Sequence, residues 1–396
     1  MNPNEFNDFL NKCSVPPLLI NHVSNLLLEK GFQALEEFDE WENIPNKGFI
    51  RRDNQCLVAF SKTDSPSSAV IVETHFDKPF LKLLPKSDSN KKDILRIKAH
   101  LDGDGNWASY FDRDLRIMGL VFVKKDGKII TQPFDSNEGV AIIPSLSIDI
   151  SQKDPNNVKN GDYLYPIYGF KDNTELNNYI ATKINVSPED ILDYDLYFVD
   201  SQPALFNGTD KELISSHKIG CLGSMYSAFN AFISCNPKDT LNLFVFYDSP
   251  ESAKGNFLNE ILGRLVGCPK KQLSFLAKSI FISIFSSEKK EFTSKNDNTV
   301  LLCSSSSNLE NNYLLKEAAQ NADVKFQFLV NRQISSIARI LSTSVGVSAV
   351  EIELTVLNSR SIREIISTKD MQCVTRMLSE IYTNYEELSQ KYLIHK

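Results

Sequence analysis

Apolar residues follow two different spacings along this chain. Residues 4–38 have the apolar spacing of a helix face, interrupted by Pro16 and Pro17, and this pattern predicts two helices. Short apolar runs typical of strands follow at 56–60, 69–76, 93–101, 116–125 and 128–134. The chain is therefore expected to enter a strand-rich region soon after its first helices.

The spacing becomes helical again at 174–192, where Ser187 and Pro188 are typical of a helix start. After residue 212 helices and strands alternate. Helices are predicted at 222–234, 251–266, 309–320, 333–344 and 369–391, and strands at 241–248, 299–303 and 348–355. Such an alternation predicts an α/β fold with a largely parallel central sheet flanked by helices.

The middle of the chain, residues 91–207, is richer in strands and turns than either flank, which predicts an inserted β-rich domain. The polar segments SDSNKKD (87–93) and FNGTDKE (206–212) are its expected hinges. Residues 1–90 and 208–396 would then form one discontinuous α/β domain around it.

Composition and charge exclude several classes of protein. The 396 residues are 42% hydrophobic and 23% charged, which is typical of a folded globular chain. The net charge of −7 is spread along the sequence. Nucleic acid is a poor candidate partner, because its recognition needs a basic face.

The apolar runs are too short to cross a membrane; LNLFVF at 241–246 is among the longest. The first residues, MNPNEFNDFLNK, lack the apolar core of a signal peptide. The seven cysteines show neither CxxC pairs nor zinc-finger spacing, which indicates reduced thiols. These features predict a cytoplasmic protein without a membrane association.

The segment THFDKPFLKLLP (74–85) contains the candidate chemistry. His75 and Asp77 lie two apart at the predicted end of a strand. In a metallohydrolase this spacing can place an imidazole on a metal ion and a carboxylate behind it that orients the ring.

Four stretches together resemble the aspartyl aminopeptidase family, whose members are dodecameric two-zinc exopeptidases that remove N-terminal acidic residues. They are THFDKPFLKLLP, NWASYFDRDLRIMGLVFV (106–123), SPEDILDYDLYFVDSQPALFNG (187–208) and VLNSRSIREI (356–365). The resemblance spans nearly the whole chain. It implies a peptidase-type α/β domain interrupted by an insertion used for dimerisation, in agreement with the boundaries above.

The same resemblance implies that most metal ligands are missing. A two-metal hydrolase needs a bridging carboxylate, further ligands on each ion and a carboxylate base. His75 and Asp77 match the family pattern, but Gly220 stands where the bridging aspartate belongs. His217 is an improbable substitute ligand, since it lies three positions early, and we expect it to be a surface histidine.

The general base and a further ligand correspond to a degenerate run, FYDSPESAKG (246–255). With a gap, both family glutamates are missing; without one, Pro250 replaces the base and Glu251 could remain as a ligand. Either alignment leaves no base. Ser249, Pro250 and Glu251 also fit a helix start, and that structural role would explain them fully.

Three more positions of the family's site are altered. Ser305 takes the place of a ligating aspartate and Asn308 that of a histidine, and the last ligand histidine corresponds to Arg360. A guanidinium has no lone pair to give, so Arg360 would repel zinc.

Two further departures fall outside the ligand set. Asp149 replaces an insertion histidine that, in the family, reaches a neighbouring subunit's site. The residues Ile334, Ser335, Ser336, Ile337, Ala338 and Arg339 replace a glycine-rich turn near the pocket and would crowd it.

The favoured hypothesis is therefore a pseudopeptidase without zinc that acts as a scaffold, an adaptor or a binding protein. The expected partners are copies of itself, as at least a dimer, or an active relative, and another protein. The alternative is an active aminopeptidase with a rearranged zinc site drawn from Asp77, His217, Glu251 and Asp248.

The cations near the former metal site allow two interpretations. Lys218 and Arg360 could bind a carboxylate, or they could neutralise Asp77, which we favour. In the insertion, Trp107 and Tyr110 are expected to serve packing and subunit contacts. The residues Asp112, Arg113 and Asp114 are expected to form a structural charge cluster that holds loops.

Overall fold

The computed structural model describes residues 3–88, 93–145, 163–170, 174–249, 255–267, 269–288, 299–303, 309–329 and 336–391. Its helices are α1 (Pro3–Lys12), α2 (Pro16–Glu29), α3 (Leu176–Ile184), α4 (Ile219–Ser234), α5 (Gly255–Val266), α6 (Pro269–Ala277), α7 (Leu309–Asn321), α8 (Ser336–Val345) and α9 (Thr368–Gln390). Two prolines at the first turn of α2 separate it from α1, as the sequence predicted.

Strands are numbered in chain order across two sheets. The first sheet contains β1 (Gln33–Leu35), β2 (Lys47–Arg52), β3 (Cys56–Lys62) and β4 (Ser68–His75). The second contains β5 (Phe80–Asp88), β6 (Ile94–Asp102), β7 (Asp114–Lys125), β8 (Lys128–Asp135), β9 (Ala141–Ile142), β10 (Tyr163–Leu164), β11 (Ile167–Phe170) and β12 (Ile191–Asp200). The chain then returns to the first sheet with β13 (Leu205–Asn207), β14 (Leu213–Ser216), β15 (Thr240–Tyr247), β16 (Ile280–Glu288), β17 (Thr299–Cys303), β18 (Lys325–Leu329), β19 (Ser348–Leu357) and β20 (Glu364–Ser367).

The centre of the first sheet is parallel, in the order β15-β4-β16-β19. On one side β3 pairs antiparallel with β15, and on the other side β20 pairs antiparallel with β19. Every residue of β4 and β15 is buried, because helices cover both faces of a central parallel sheet. The expected α/β fold is confirmed, with a parallel centre and antiparallel flanks.

The second sheet closes on itself, because β5 pairs with both β6 and β12. Its core holds Trp107 and Tyr110, whose ring centroids lie 5.3 Å apart. The domain division at residues 91 and 207 stays a prediction, and strand pairing places β5 with the second sheet.

The helical pattern predicted for 174–192 is wrong at its end. Helix α3 stops at Ile184, where Asn185 adopts a left-handed conformation. Residues 188–190 form a single 3₁₀ turn, and β12 begins at Ile191. Long antiparallel pairing with β7 decides this segment, which a local pattern does not reveal.

Two general expectations can be compared with the described residues. No helix among them is long and apolar enough to cross a membrane. Of the cysteine side chains in this part of the chain, five are buried thiols outside any disulfide: Cys13, Cys56, Cys221, Cys235 and Cys373.

Candidate functional site: an imidazole beside a buried lysine

The candidate site lies where β4 ends. His75 is the last residue of this central strand and is 6% exposed. Its Nδ1 lies 2.8 Å from Oε1 of Glu73, which is on the same face of the strand because side chains alternate. The other carboxylate oxygen of Glu73 accepts a hydrogen bond from Ser283 on β16, at 2.6 Å. Glu73 therefore fixes the ring orientation from inside the sheet.

The Nε2 of His75 lies 3.5 Å from Oδ1 of Asp77. Burial opposes a charge on His75, but the charge of Glu73 and hydrogen bonds to both carboxylates raise the pKa of the imidazole to about 10. The ring is thus an imidazolium at neutral pH, and it has no lone pair until that proton leaves.

Asp77 is surrounded by positive charge. Burial alone would raise the pKa of its carboxyl, but the hydrogen bond and charge of His75 hold it below the usual value. The charges of Lys218 and Arg360 lower this pKa further. This agrees with the interpretation that these two cations neutralise Asp77.

Lys218 precedes α4 and is only 2% exposed, which is rare for lysine. Its Nζ donates to the backbone carbonyl of Asp77 at 2.7 Å and lies 4.6 Å from the ring centre of Phe80. Burial lowers the pKa of this ammonium group. Because Lys218 already serves the chain in these contacts, the arrangement does not favour the alternative that it binds an external carboxylate.

Gly220 lies in the first turn of α4, packed against two polar side chains. A Cβ at this position would lie about 2.4 Å from Oγ of Ser286 and 3.3 Å from Oε2 of Glu364. The space that an aspartate would need here is therefore filled by the chain itself.

Glu364 organises the surroundings of Gly220. Its Oε2 accepts from the Gly220 amide at 3.0 Å, and its Oε1 accepts from the Arg360 amide at 2.9 Å. A carboxylate at a helix N-terminus satisfies amides that have no partner within the helix. Burial raises the pKa of Glu364, with Lys218 and the two amides acting in the opposite direction.

Cys221 completes this group. Its Sγ accepts from the Asp77 amide at 3.3 Å, and burial raises the pKa of the thiol. A buried thiol with a raised pKa is a poor nucleophile and a poor metal ligand.

His217 is buried, so the expectation of a surface histidine is wrong. It is 5% exposed, and its Nδ1 lies 2.8 Å from the carbonyl of Ile362. Burial and the charge of Lys218 lower the pKa of His217 to about 3, so the ring is neutral. Residues of the 358–362 turn cover it, and a sequence pattern does not predict this long-range contact.

The turn that contains Arg360 is tied to the inserted sheet. Arg360 is exposed and has a left-handed backbone, with φ of 64°. Its carbonyl accepts from the Asn106 amide at 3.0 Å, and Ser109 Oγ accepts from the Ile362 amide at 2.9 Å. The position that the resemblance assigns to a ligand histidine thus lies at a contact between the two sheets.

The charge cluster expected in the insertion is divided between two contacts. Asp112 accepts from the amide and the hydroxyl of Ser145, at 2.8 and 2.5 Å. Arg113 instead lies 3.7 Å from Asp200, while Asp114 begins β7. Asp112 and Arg113 thus contact different segments, so the expected single cluster is not formed, and the loop-holding role stays a prediction.

Several predicted positions lie outside the described residues, namely Asp149, Pro250, Glu251, Ser305, Asn308, Ile334 and Ser335. Ser336, Ile337, Ala338 and Arg339 are in α8. Ala338 is packed in a buried cluster, and Arg339 is exposed.

The described residues do not fit a two-zinc centre. Within the ranges given above, no group of three or more His, Cys, Asp and Glu side chains is placed to hold a metal ion. His75 is paired on both nitrogens, and the place of a carboxylate at Gly220 is filled. Zinc needs three or four such ligands.

Glu73 and Glu364 were not predicted from the sequence as residues of the candidate site. Glu73 could have been recognised from its i, i+2 spacing to His75 on a strand. Glu364 gave no local signal, because its partners Gly220 and Arg360 meet it only through the pairing of distant elements.

The chain is similar in sequence and in fold to known aminopeptidases. The chain is 25% identical to aspartyl aminopeptidase 1 of Schizosaccharomyces pombe over 457 aligned positions, covering 98% of this chain and 96% of the relative. Since this chain has only 396 residues, it lacks segments that the relative has.

Solved structures share the fold. Ape4, from the cryo-EM structure of the Ape4 and Nbr1 complex, aligns with a TM-score of 0.89 at 24% identity, over 99% of this chain and 87% of that one. The S. cerevisiae mApe1 dodecamer aligns with a TM-score of 0.85 at 20% identity, over 99% and 98%. The sequence model of the family described as aminopeptidase I zinc metalloprotease (M18) matches residues 9–382, so this chain belongs to the M18 aminopeptidase family.

Proposed function

We propose that this chain is a non-catalytic M18 protein, a pseudopeptidase that acts as an assembly subunit or scaffold and does not cleave peptides. The observation that carries the proposal is the packing at Gly220, where Ser286 and Glu364 fill the space of a bridging carboxylate. A dinuclear hydrolase uses a bridging carboxylate to hold two ions in one clamp. With that space filled, the chain has no bridging carboxylate at this position to hold two ions.

The ammonium of Lys218 supports the same function. It donates to the backbone of Asp77, close to the imidazole that the family uses as a ligand. The charged form of Lys218 disfavours a divalent cation here by Coulomb repulsion, which water screens poorly around a buried group. The charges of Lys218 and Arg360 thus take over the neutralisation of Asp77 that a metal ion would supply.

An assembly role follows from the conserved fold rather than from the site. The mApe1 structure is described as a dodecamer, and Ape4 is described in a complex with Nbr1. For this chain we propose a homo-oligomer, or co-assembly with an active relative, and a protein partner in the cytoplasm. Symmetric oligomers are the common state of soluble assemblies.

Metal content and peptidase activity test the proposal together. Protein purified in the presence of zinc should contain far less than one equivalent per chain, and it should not release an acidic residue from a peptide N-terminus. Aspartyl aminopeptidase 1 of S. pombe, prepared identically, is the positive control. About one or two bound equivalents together with release of the acidic residue would overturn the proposal.

The alternative function, a peptidase with a rearranged zinc site, is favoured by one observation. Glu73 orients His75 as a carboxylate orients a metal-binding imidazole. In that case zinc would bind, a chelator would abolish peptide cleavage, and His75→Ala would lower the zinc content. The same preparation therefore decides between the two functions.

A further inference from the structure

One exposed aromatic residue is held in place on the opposite flank of the first sheet. Phe38 is 97% exposed, the largest value among the apolar side chains that the structure describes. It lies in the segment 36–42, Glu-Glu-Phe-Asp-Glu-Trp-Glu, which we call the acidic segment. Burial of an exposed phenylalanine ring is favourable, so Phe38 can contribute free energy to a contact made here.

The acidic segment is ordered by its own contacts. Trp41 Nε1 donates to the Glu36 carbonyl at 2.9 Å, and the Asp39 amide donates to the same carbonyl at 3.3 Å. Arg52 holds the Glu37 carboxylate through contacts of 2.7 to 3.0 Å. These bonds fix a turn that keeps Phe38 outside.

Arg264, in the last turn of α5, anchors the segment to the body of the protein. It donates to the carbonyls of Glu37 and Asp39, each at 3.2 Å, and its guanidinium lies 4.9 Å from the ring centre of Trp41. A segment whose backbone is already fixed loses less entropy on binding, which favours its use as an interface element.

A cavity with complementary chemistry begins beside this anchor. It has a volume of about 320 Å³, and its lining is mixed: Pro66, Leu265, Val266 and Phe275 are apolar, and Ser65, Ser67 and Ser274 are polar. Leu265 and Val266 directly follow Arg264 in the sequence. A phenylalanine ring fits in this volume, where it would contact the apolar part of the lining.

The charges around the cavity and on the acidic segment are opposite in sign. Lys62 and Lys278 line the cavity, and Lys278 is exposed. Asp64 lines it too and keeps its negative charge, so the two lysines leave the lining with a net positive charge. The acidic segment carries Glu36, Asp39, Glu40 and Glu42 on its exposed side. Opposite charges around an apolar anchor residue favour association of the two surfaces and orient them relative to each other.

We infer that the acidic segment of one chain docks in this cavity on a second copy, with Phe38 as the anchor and the carboxylates facing Lys62 and Lys278. The projection and the cavity lie side by side at the end of α5. Two copies related by a twofold axis can therefore exchange the contact reciprocally, as an isologous interface requires. The inference rests on the homo-oligomer of the proposed function and names a contact within it, whereas the loss of catalysis is independent of this contact.

Zero-length carbodiimide cross-linking tests the contact directly. An equimolar mixture of ¹⁵N-labelled and unlabelled chains should give mixed-isotope cross-links between the acidic segment and Lys62 or Lys278. Phe38→Ala should remove them and raise the dissociation constant of this contact about 30-fold, as truncation of an anchor residue does. Leu28→Ala, at another exposed apolar residue, is the matched control and should change neither.

A charge exchange sharpens the test. Lys278→Glu should remove the mixed cross-links at Lys62 as well, and adding Glu40→Lys in the same chain should restore them. Cross-links of unmixed isotope only, mixed cross-links that survive Phe38→Ala, or cross-links of the segment to a different protein without self-contacts would overturn the inference. None of these outcomes depends on zinc or activity, so failure here is distinct from failure of the proposed function.

Discussion

The two halves of the candidate site contrast in how they are filled. At the end of β4, Glu73 and His75 keep an acid–imidazole arrangement that suits a metal ligand. At the start of α4, Lys218 and Gly220 leave no place for a carboxylate, and Glu364 binds the freed amide. The β4 end thus has an imidazole oriented as in a metal ligand. The α4 start is instead packed with side chains that bond to each other and to the backbone.

Under the proposed function, an internal network takes the place of the metal as the link between elements. In a dinuclear site, ions tie strand ends to a helix start. Here the Lys218 ammonium ties the loop after β4 to α4, and Glu364 ties α4 to the 358–362 turn. The stability of the fold at this place should therefore depend on side chains and not on zinc.

The largest effect is expected for Glu364→Ala. The substitution leaves the amides of Gly220 and Arg360 without their acceptor and removes an acidic neighbour of the buried Lys218. We expect a loss of about 3–5 kcal/mol in the free energy of unfolding, measured by urea denaturation. Glu364→Gln, which keeps one acceptor oxygen, should lose less. Equal losses for both variants would contradict this account.

Gly220→Ala tests whether the helix start is closed. Its Cβ would meet Ser286, so we expect destabilisation by about 1–3 kcal/mol in denaturant unfolding. Gly263→Ala in α5 is the matched control, because the nearest atom to its Cβ is 3.7 Å away. That change should stabilise the chain by up to about 1 kcal/mol. If Gly220→Ala were equally well tolerated, space for a larger side chain would exist at the α4 start.

The pH dependence of stability should reveal the buried His217. Because its pKa falls from 6.5 to about 3 on folding, the unfolded chain binds the proton more strongly. Its contribution is complete above pH 6.5 and is lost as the pH falls from 6.5 towards 3, by up to about 1.4 kcal/mol per pH unit. His217→Asn should flatten the slope between pH 6.5 and 5.5 relative to the parent chain. Parallel slopes would mean that the ring is accessible to protons.

The smallest effect belongs to the retained half. Ser283→Ala removes one hydrogen bond to Glu73 and should cost about 1–2 kcal/mol in unfolding free energy. Ser24→Ala, which removes a buried hydroxyl bonded four residues back within α2, should be close to neutral. A loss at Ser283 as large as that of Glu364→Ala would make the two halves equally important.

Much of the fold could be predicted from local patterns. The apolar runs that become β4 and β15 are buried over their full length, and alternating helices and strands predicted the parallel centre. The error at 188–192 arose because β12 is fixed by its pairing with β7, over residues far away in sequence. Long-range pairing outweighs a local preference in such segments.

The sequence by itself determined which chemical groups are available: a glycine, a lysine and an arginine where the family resemblance implies ligands or their neighbours, and the HxD pair at the end of β4. Only the tertiary structure decided what surrounds them. It buries Lys218 and His217, brings Glu364 to the Gly220 amide, and leaves Phe38 outside. The physical reason is that burial, pKa and cavity filling depend on atoms from distant segments, whereas residue type and periodicity are local properties.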